Sequence, residues 1–199
     1  MRYTLRLIAS LFFTVLCYLT NPIVVLLFCD EEGELDGFWH YWQTWDNSCN
    51  PSDLVKILPS WLTDWYNSHY EEVYASVGEL ADMGRGRWYT ELHDPDFTII
   101  ERIKRYICRC YWLYRNSAYG FCFYLLGADY DPAHEYVVFE SDDERWAQDL
   151  DDGSIWTYSN SKHIFWKLYW NIYIGYKLTI GADRKTHCMI ANRIAFKIK

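Results

Sequence analysis

Seven cysteines, six histidines and two acidic stretches are the side chains of this 199-residue chain that can do chemistry. Their spacing decides whether they do. Cys108, Cys110, Cys122 and His187-Cys188 supply enough soft donors for zinc, but structural zinc sites are built on Cys-x-x-Cys or His-x-x-x-His knuckles, and none occurs. On a helix Cys108 and Cys110 would point about 200° apart. A Gly-x-Ser-x-Gly elbow, a P-loop and a dinucleotide glycine pattern are likewise missing from the sequence. Asp149-Leu150-Asp151-Asp152-Gly153 approaches a calcium loop, yet its glycine is fifth instead of sixth and no glutamate closes it at the twelfth position. A solvated loop between strands is expected there. No catalytic residue, cofactor or metal is assigned.

Two constellations read first as structure. In Trp42-Gln43-Thr44-Trp45-Asp46-Asn47-Ser48, Asp46 or Asn47 can close an Asx turn, while Trp42 and Trp45 bury or sit at a lipid–water boundary that suits indole. In Tyr114-Arg115-Asn116-Ser117-Ala118-Tyr119-Gly120-Phe121 a helix is expected to end. Asn116 can accept a left-handed backbone, Gly120 a second sharp turn, and Arg115 can bond the last carbonyls. Trp42, Trp45, Asp46, Asn47, Tyr114, Arg115, Asn116, Tyr119 and Gly120 are therefore expected to form a binding or structural clasp around an Asp46–Arg115 pair.

These two motifs, with NPIVVLLF before an acidic exit and NIYIGYKL before a terminal strand, resemble a family of small membrane-associated proteins encoded by tailed bacteriophages and prophages. The resemblance covers most of the chain in patches. It implies a setting, a bacterial host cell during infection, and carries no activity, catalytic residue or cofactor with it. Relatives commonly have proline at the positions that Ser117 and Trp45 occupy here.

The element that would place the chain in that setting is at the start. Leu7 to Phe28 is 22 residues without a formal charge. As a helix it is roughly 33 Å long, against a hydrocarbon thickness of about 30 Å. A signal sequence needs small residues before a cleavage point, and Phe28-Cys29-Asp30 offers none. The expected organisation is a membrane anchor over 1–29 and a single aromatic-rich domain over 30–199. Asn21-Pro22 allows a kinked spanning helix, preferred here, or a re-entrant hairpin. Arg2 and Arg6 before the run, with five acidic residues from Asp30 to Asp36 after it, predict an external body. Five cysteines beyond the run, an odd number without framework spacing, predict a reducing, cytoplasmic one.

Beyond the run, charge is sorted into blocks. Residues 30–96 hold 3 basic and 15 acidic side chains, 97–128 hold 5 and 1, 129–152 hold 1 and 10, and 153–199 hold 8 and 1. The formal net charge of −8 argues against nucleic-acid binding. A short helical start at Ser52-Asp53 is limited by Pro59. A helix from Ser60 to about Ala81 is expected from Trp61, Trp65, Tyr66, Tyr70, Val73, Tyr74 and Val77 at spacings of three and four, broken by Gly84-Arg85-Gly86. The clearest helix starts at Asp96 or Thr98, with a Thr98–Glu101 capping box, and runs to Tyr114. Its stripe of Ile99, Ile100, Ile103, Ile107, Cys110, Tyr111 and Tyr114 is expected to pack inward, leaving Arg102, Lys104, Arg105 and Arg109 for water or for anionic headgroups.

From Glu135 the period becomes two. Tyr136–Phe139 and Ile155–Tyr158 are short strands around an acidic loop, Ser141–Gly153. Ile164 to Ile180 is one long alternation, and after a turn at Gly181–Thr186 a last strand covers Cys188–Ile198. The fold class is α+β: an N-terminal membrane helix, two or three amphipathic helices, and a C-terminal antiparallel sheet of about four strands. The function expected is a non-enzymatic, membrane-tethered interaction protein at the host bacterial inner membrane, with membrane lipids and a protein as partners. A small membrane-proximal hydrolase or transferase, and a virion or assembly component, are the alternatives.

Overall fold

The apolar run is helical throughout, inside a helix that extends from Arg2 to Phe28 (α1). Pro22 lies within it. Proline withdraws one backbone donor without ending the helix here, and its own carbonyl accepts from Tyr106 Oη at 3.2 Å. The chain thus makes no re-entrant turn at Asn21-Pro22. Ser10, Thr14 and Thr20 donate their hydroxyls to the carbonyls of Leu7, Ser10 and Leu16, so each is satisfied within an apolar helix. The computed structural model describes residues 2–44, 48–75, 87–93, 96–130, 134, 136–150, 153, 155–165, 168–177 and 187–198. Trp45, Asp46, Asn47, Val77, the Gly84–Gly86 break and the Gly181–Thr186 turn lie outside them.

Contacts group the chain into two compact units, Leu16–Ala118 and a second made of Met1–Val15 with Tyr119–Lys199. The division falls inside α1. In the unit Leu16–Ala118, short 3-10 turns cover Gly37–Trp42 and Ser52–Lys56. Ser60–His69 (α2) starts after Pro59, and Tyr70–Ala75 (β1) pairs antiparallel with Arg87–Leu92 (β2). The helix expected to reach Ala81 therefore stops at His69. Tyr70 turns extended, at φ −124 and ψ 135, and pairs with Leu92. Aromatic and β-branched residues such as Tyr70 and Val73 suit a pleated strand as well as their spacing suits a helix, and pairing with β2 decided between the two. Leu54, Leu62, Tyr66, Cys108 and Leu113 are buried in this unit, and the Tyr66 ring stacks on Tyr70 at 4.4 Å.

Ile99–Arg115 (α3) closes the unit. The expected capping box is present: Thr98 N donates to Glu101 Oε2 at 2.8 Å, and Thr98 Oγ1 accepts from Glu101 N at 3.4 Å. The expected inward stripe divides along the helix: Cys110 is buried and Ile107 and Tyr114 are half-buried, but its N-terminal part faces out. Ile99, Ile100, Ile103 and Tyr111 are exposed, Ile99 to 79%, while Cys108, Arg109, Cys110, Trp112 and Leu113 are buried.

The second unit is mostly sheet. A π-helical turn at Phe121–Leu125 leads to Ala128–Asp129 (β3), then to Tyr136–Glu140 (β4), Glu144–Asp149 (β5), Trp156–Phe165 (β6), Leu168–Tyr176 (β7), His187–Cys188 (β8) and Ile190–Ile198 (β9). Five strands form one antiparallel sheet in the order β4-β5-β6-β7-β9, and β3 pairs with β8. The α+β class with a C-terminal antiparallel sheet is as expected. Two details differ. The acidic stretch read as a loop contains β5, and the long alternation is divided between β6 and β7, where Phe165 pairs with Leu168 across two residues. Trp166-Lys167 carries no Asn-Gly or other hairpin signal, so the run reads as continuous.

Candidate membrane-contact site

Along α1 the exposed large apolar residues are Leu5, Ile8, Leu11, Phe12 and Val15 in the first half, and Tyr18, Leu19, Ile23, Leu26, Leu27 and Phe28 in the second. At 100° per residue all but Phe28 fall within roughly half of the circumference. The opposite half holds Ser10, Cys17, Asn21, Val24 and Val25, all buried. The helix thus has one exposed apolar side and one covered side that carries its polar residues.

Polar side chains do the covering. In the first half Gly175 N donates to Tyr3 Oη at 2.9 Å, Tyr3 Oη donates to Asn192 Oδ1 at 3.0 Å, and Asn192 Nδ2 donates to Ser10 Oγ at 2.7 Å. Arg6 Nη1 donates to Tyr176 Oη at 2.9 Å, and Phe13 stacks on Phe121 at 4.2 Å. In the second half Trp42 Nε1 donates to Thr20 Oγ1 at 2.8 Å, Tyr18 stacks on Tyr114, and Phe28 on Trp39. Asn21 is fully buried, with Nδ2 3.5 Å from Ser117 Oγ.

The four cations expected at a membrane surface do not share one environment. Arg102 is exposed, and Lys104 and Arg105 are half-buried. At 100° per residue Arg102 and Lys104 border the outward Ile99–Ile100–Ile103 stripe on its two sides. Arg105 lies over the Phe97 ring at 4.6 Å. Arg109 is a correction: it is 4% exposed and contacts no surface. Its guanidinium donates to the carbonyl oxygens of Asp30 at 2.6 Å and Glu31 at 2.8 Å and to Asn50 Oδ1 at 3.0 Å. Asn50 Nδ2 in turn donates to Glu32 O, and Gly33, at φ +92, lies so close that a Cβ would meet Asn50 Nδ2 at 2.5 Å. Arg109 therefore fastens the acidic exit of α1 to α3. Its fork of donors is what three separate acceptors require.

Of the expected clasp, Trp42 is buried among Phe38 and Trp39. Trp45, Asp46 and Asn47 lie outside the described residues, and the Asp46–Arg115 pair with them. Tyr114 stacks on Tyr18 at 5.6 Å, and Arg115, exposed, sits 5.8 Å from the Trp112 ring. Asn116 caps α3 through Nδ2 to Trp112 O at 3.2 Å, but at φ −113. The left-handed residue is Ala118, at φ 62, and Gly120 is right-handed helical, while Tyr119 is half-buried. The turn is thus made two residues later than expected, because Asn116 spends its side chain on the helix end.

Two further groupings carry chemistry. Cys29 and Cys49 are hydrogen-bonded thiols beside Arg109, and the Cys49 bond and the Arg109 charge draw the Cys29 thiol down while Cys49 is pushed up. Burial pushes Cys108, Cys122 and Cys188 up to about 12 and Cys110 to about 11. None of the seven cysteines is in a disulfide. Asp149, expected in a solvated loop, is 2% exposed in β5 and holds His134 Nδ1 at 2.9 Å. A carboxylate with an imidazole is how a buried acid is satisfied as well as how a general base is oriented. His187 bridges Asp129 at 2.5 Å and the carbonyl of Phe123 at 2.8 Å. Among the described residues no three His, Cys, Asp or Glu side chains are placed to hold a metal.

Fold and site together define an α+β protein with one N-terminal helix that is long and apolar enough to cross a membrane. The chain belongs to a protein family of unknown function, DUF7338, which it matches over residues 1–199. No curated protein and no solved structure matches it.

Proposed function

We propose that this is a non-enzymatic protein of a tailed bacteriophage or prophage, held at the inner membrane of the host and acting there through a protein partner. The observation that carries the membrane part is the outward half of α1, where ten large apolar side chains from Leu5 to Leu27 are exposed. A soluble monomer rarely leaves so continuous an apolar surface uncovered. Arg102 and Lys104, beside the outward isoleucines of α3, add the cations that favour anionic lipid. Seven cysteines without a disulfide support a body on the cytoplasmic side. The viral setting rests on the sequence resemblance, and so does the proposed role in modulating a host membrane process or a competing infection.

Removing residues 1–29 is not a clean test, because Tyr3, Ser10 and Thr20 pack the helix onto the protein. The outward face can be altered alone. In fractionated bacteria the full chain is expected with the membranes, and a Leu11→Glu, Leu19→Glu variant in the supernatant with an unchanged circular-dichroism spectrum. Wild-type protein found in the supernatant would reject the proposal.

A further inference from the structure

We infer that α1 lies in the plane of one leaflet, with its outward half in the acyl region and both ends on the same side of the membrane. The inference rests on the membrane reading above and fixes the topology that it leaves open. A spanning helix needs about 20 residues in hydrocarbon, with every backbone and side-chain polar group around it satisfied there. Neither half of α1 is available for that. The half up to Val15 is bonded through Tyr3, Arg6 and Ser10 to the strand residues Gly175, Tyr176 and Asn192. Carrying this half across hydrocarbon would carry sheet backbone and an arginine with it, at a cost that apolar side chains do not offset. The remainder, Leu16–Phe28, is 13 residues or roughly 20 Å, too short to cross. It is bound by Tyr18, Thr20 and Pro22 to Tyr114, Trp42 and Tyr106.

An in-plane helix meets none of these difficulties. Its covered side keeps its bonds, and its open side gives lipid an arc that is free of charge along the whole length. The occupant is lipid, not a protein groove, because the arc follows a helix roughly 40 Å long and Arg102 and Lys104 flank a second apolar stripe on α3. The topology also dissolves the conflict between charge and cysteines. When both ends of a helix stay on one side, Arg2 and Arg6 against Asp30–Asp36 no longer specify an external body, and the reducing compartment implied by the cysteines stands.

The test uses the full chain with Cys29→Ser, carrying an NBD fluorophore on a cysteine introduced at Thr4 or at Asp36. It is added to preformed vesicles of equimolar phosphatidylcholine and phosphatidylglycerol. Dithionite supplied outside is expected to bleach both positions completely, and probes at Leu5, Val15 and Leu27 are expected to be quenched to the same extent by a doxyl lipid of one depth. Protection of one end alone, with probes near the centre quenched by deeper doxyl groups, would show a spanning helix and overturn the inference while leaving membrane attachment intact. Protein that stays off the vesicles would overturn both, and a sedimenting dimer with the apolar arc protected would show that a second copy covers it.

Discussion

Arg109 is the residue on which the start of the folded body depends. It is buried, and three acceptors, Asn50 Oδ1 and the carbonyls of Asp30 and Glu31, converge on one guanidinium. Arg109→Met keeps the apolar stem and strands those acceptors, which predicts a loss of about 3 kcal/mol in urea unfolding. Arg109→Lys should recover only part of it, since an ammonium on a flexible stem does not reproduce the fork. The neighbouring Cys29 gives a second prediction. Its thiol is drawn below the ordinary value of 9.0 by the Cys49 thiol and by Arg109, so thiolate appears at lower pH there than at Cys108, Cys122 or Cys188, which are pushed up to about 12. Alkylation of the native protein at mildly alkaline pH, mapped by mass spectrometry, is expected to mark Cys29 first. Equal labelling of Cys29 and Cys188 would contradict this. None of this was readable beforehand: Arg109 looks like its neighbours in a basic helix, and only the approach of Gly33 and Asn50 distinguishes it.

At the scale of elements, α3 shows both what spacing fixes and what it leaves open. Thr98 and Glu101 announce the start of the helix through local chemistry, and the box forms as read. The Thr98 hydroxyl and N–H, and then His69, hold the Glu101 carboxyl below its ordinary 4.5. A lowered acid stabilises the fold fully above its unfolded value and loses that contribution as the pH falls through the lowered one. Loss of the N-cap in Thr98→Ala is expected to cost about 1 kcal/mol, and loss of the bonds to Glu101 to flatten the acid limb of the stability profile below pH 4.5. A variant with the wild-type acid limb would remove the cap from the account. Which part of the α3 stripe faces inward was not legible, because spacing groups Ile99, Ile100 and Ile103 with Cys110 on one side of the helix, and only packing buries Cys110 while leaving the isoleucines exposed. The sheet was legible by its period of two, except between Phe165 and Leu168, where the sequence carries no turn residue to divide β6 from β7. The aromatic spacing of Trp65, Tyr66, Tyr70 and Tyr74 served α2 and β1 alike, and long-range pairing with Arg87–Leu92 settled it.

Over the whole molecule, the informative pattern was in the sequence all along but is drowned by hydropathy. Tyr3, Arg6, Ser10, Thr14, Cys17 and Asn21 recur at three and four residues through α1, marking one side that meets protein, while the rest is Leu, Ile, Val and Phe. A mean hydropathy high enough for a spanning helix conceals this, because an average has no direction. The clasp around Asp46 and Arg115 carries no such periodic mark, and Asp46 lies outside the described residues. The central claim is that the outward side of α1 binds lipid. Flotation of the full chain with vesicles of equimolar phosphatidylcholine and phosphatidylglycerol tests it most directly. Wild-type protein is predicted to rise with the vesicles, and Leu11→Glu, Leu19→Glu protein, folded as judged by its near-ultraviolet spectrum, to partition at least about tenfold less. A wild-type chain that remains at the bottom of the gradient, or a double variant that floats equally well, would contradict it.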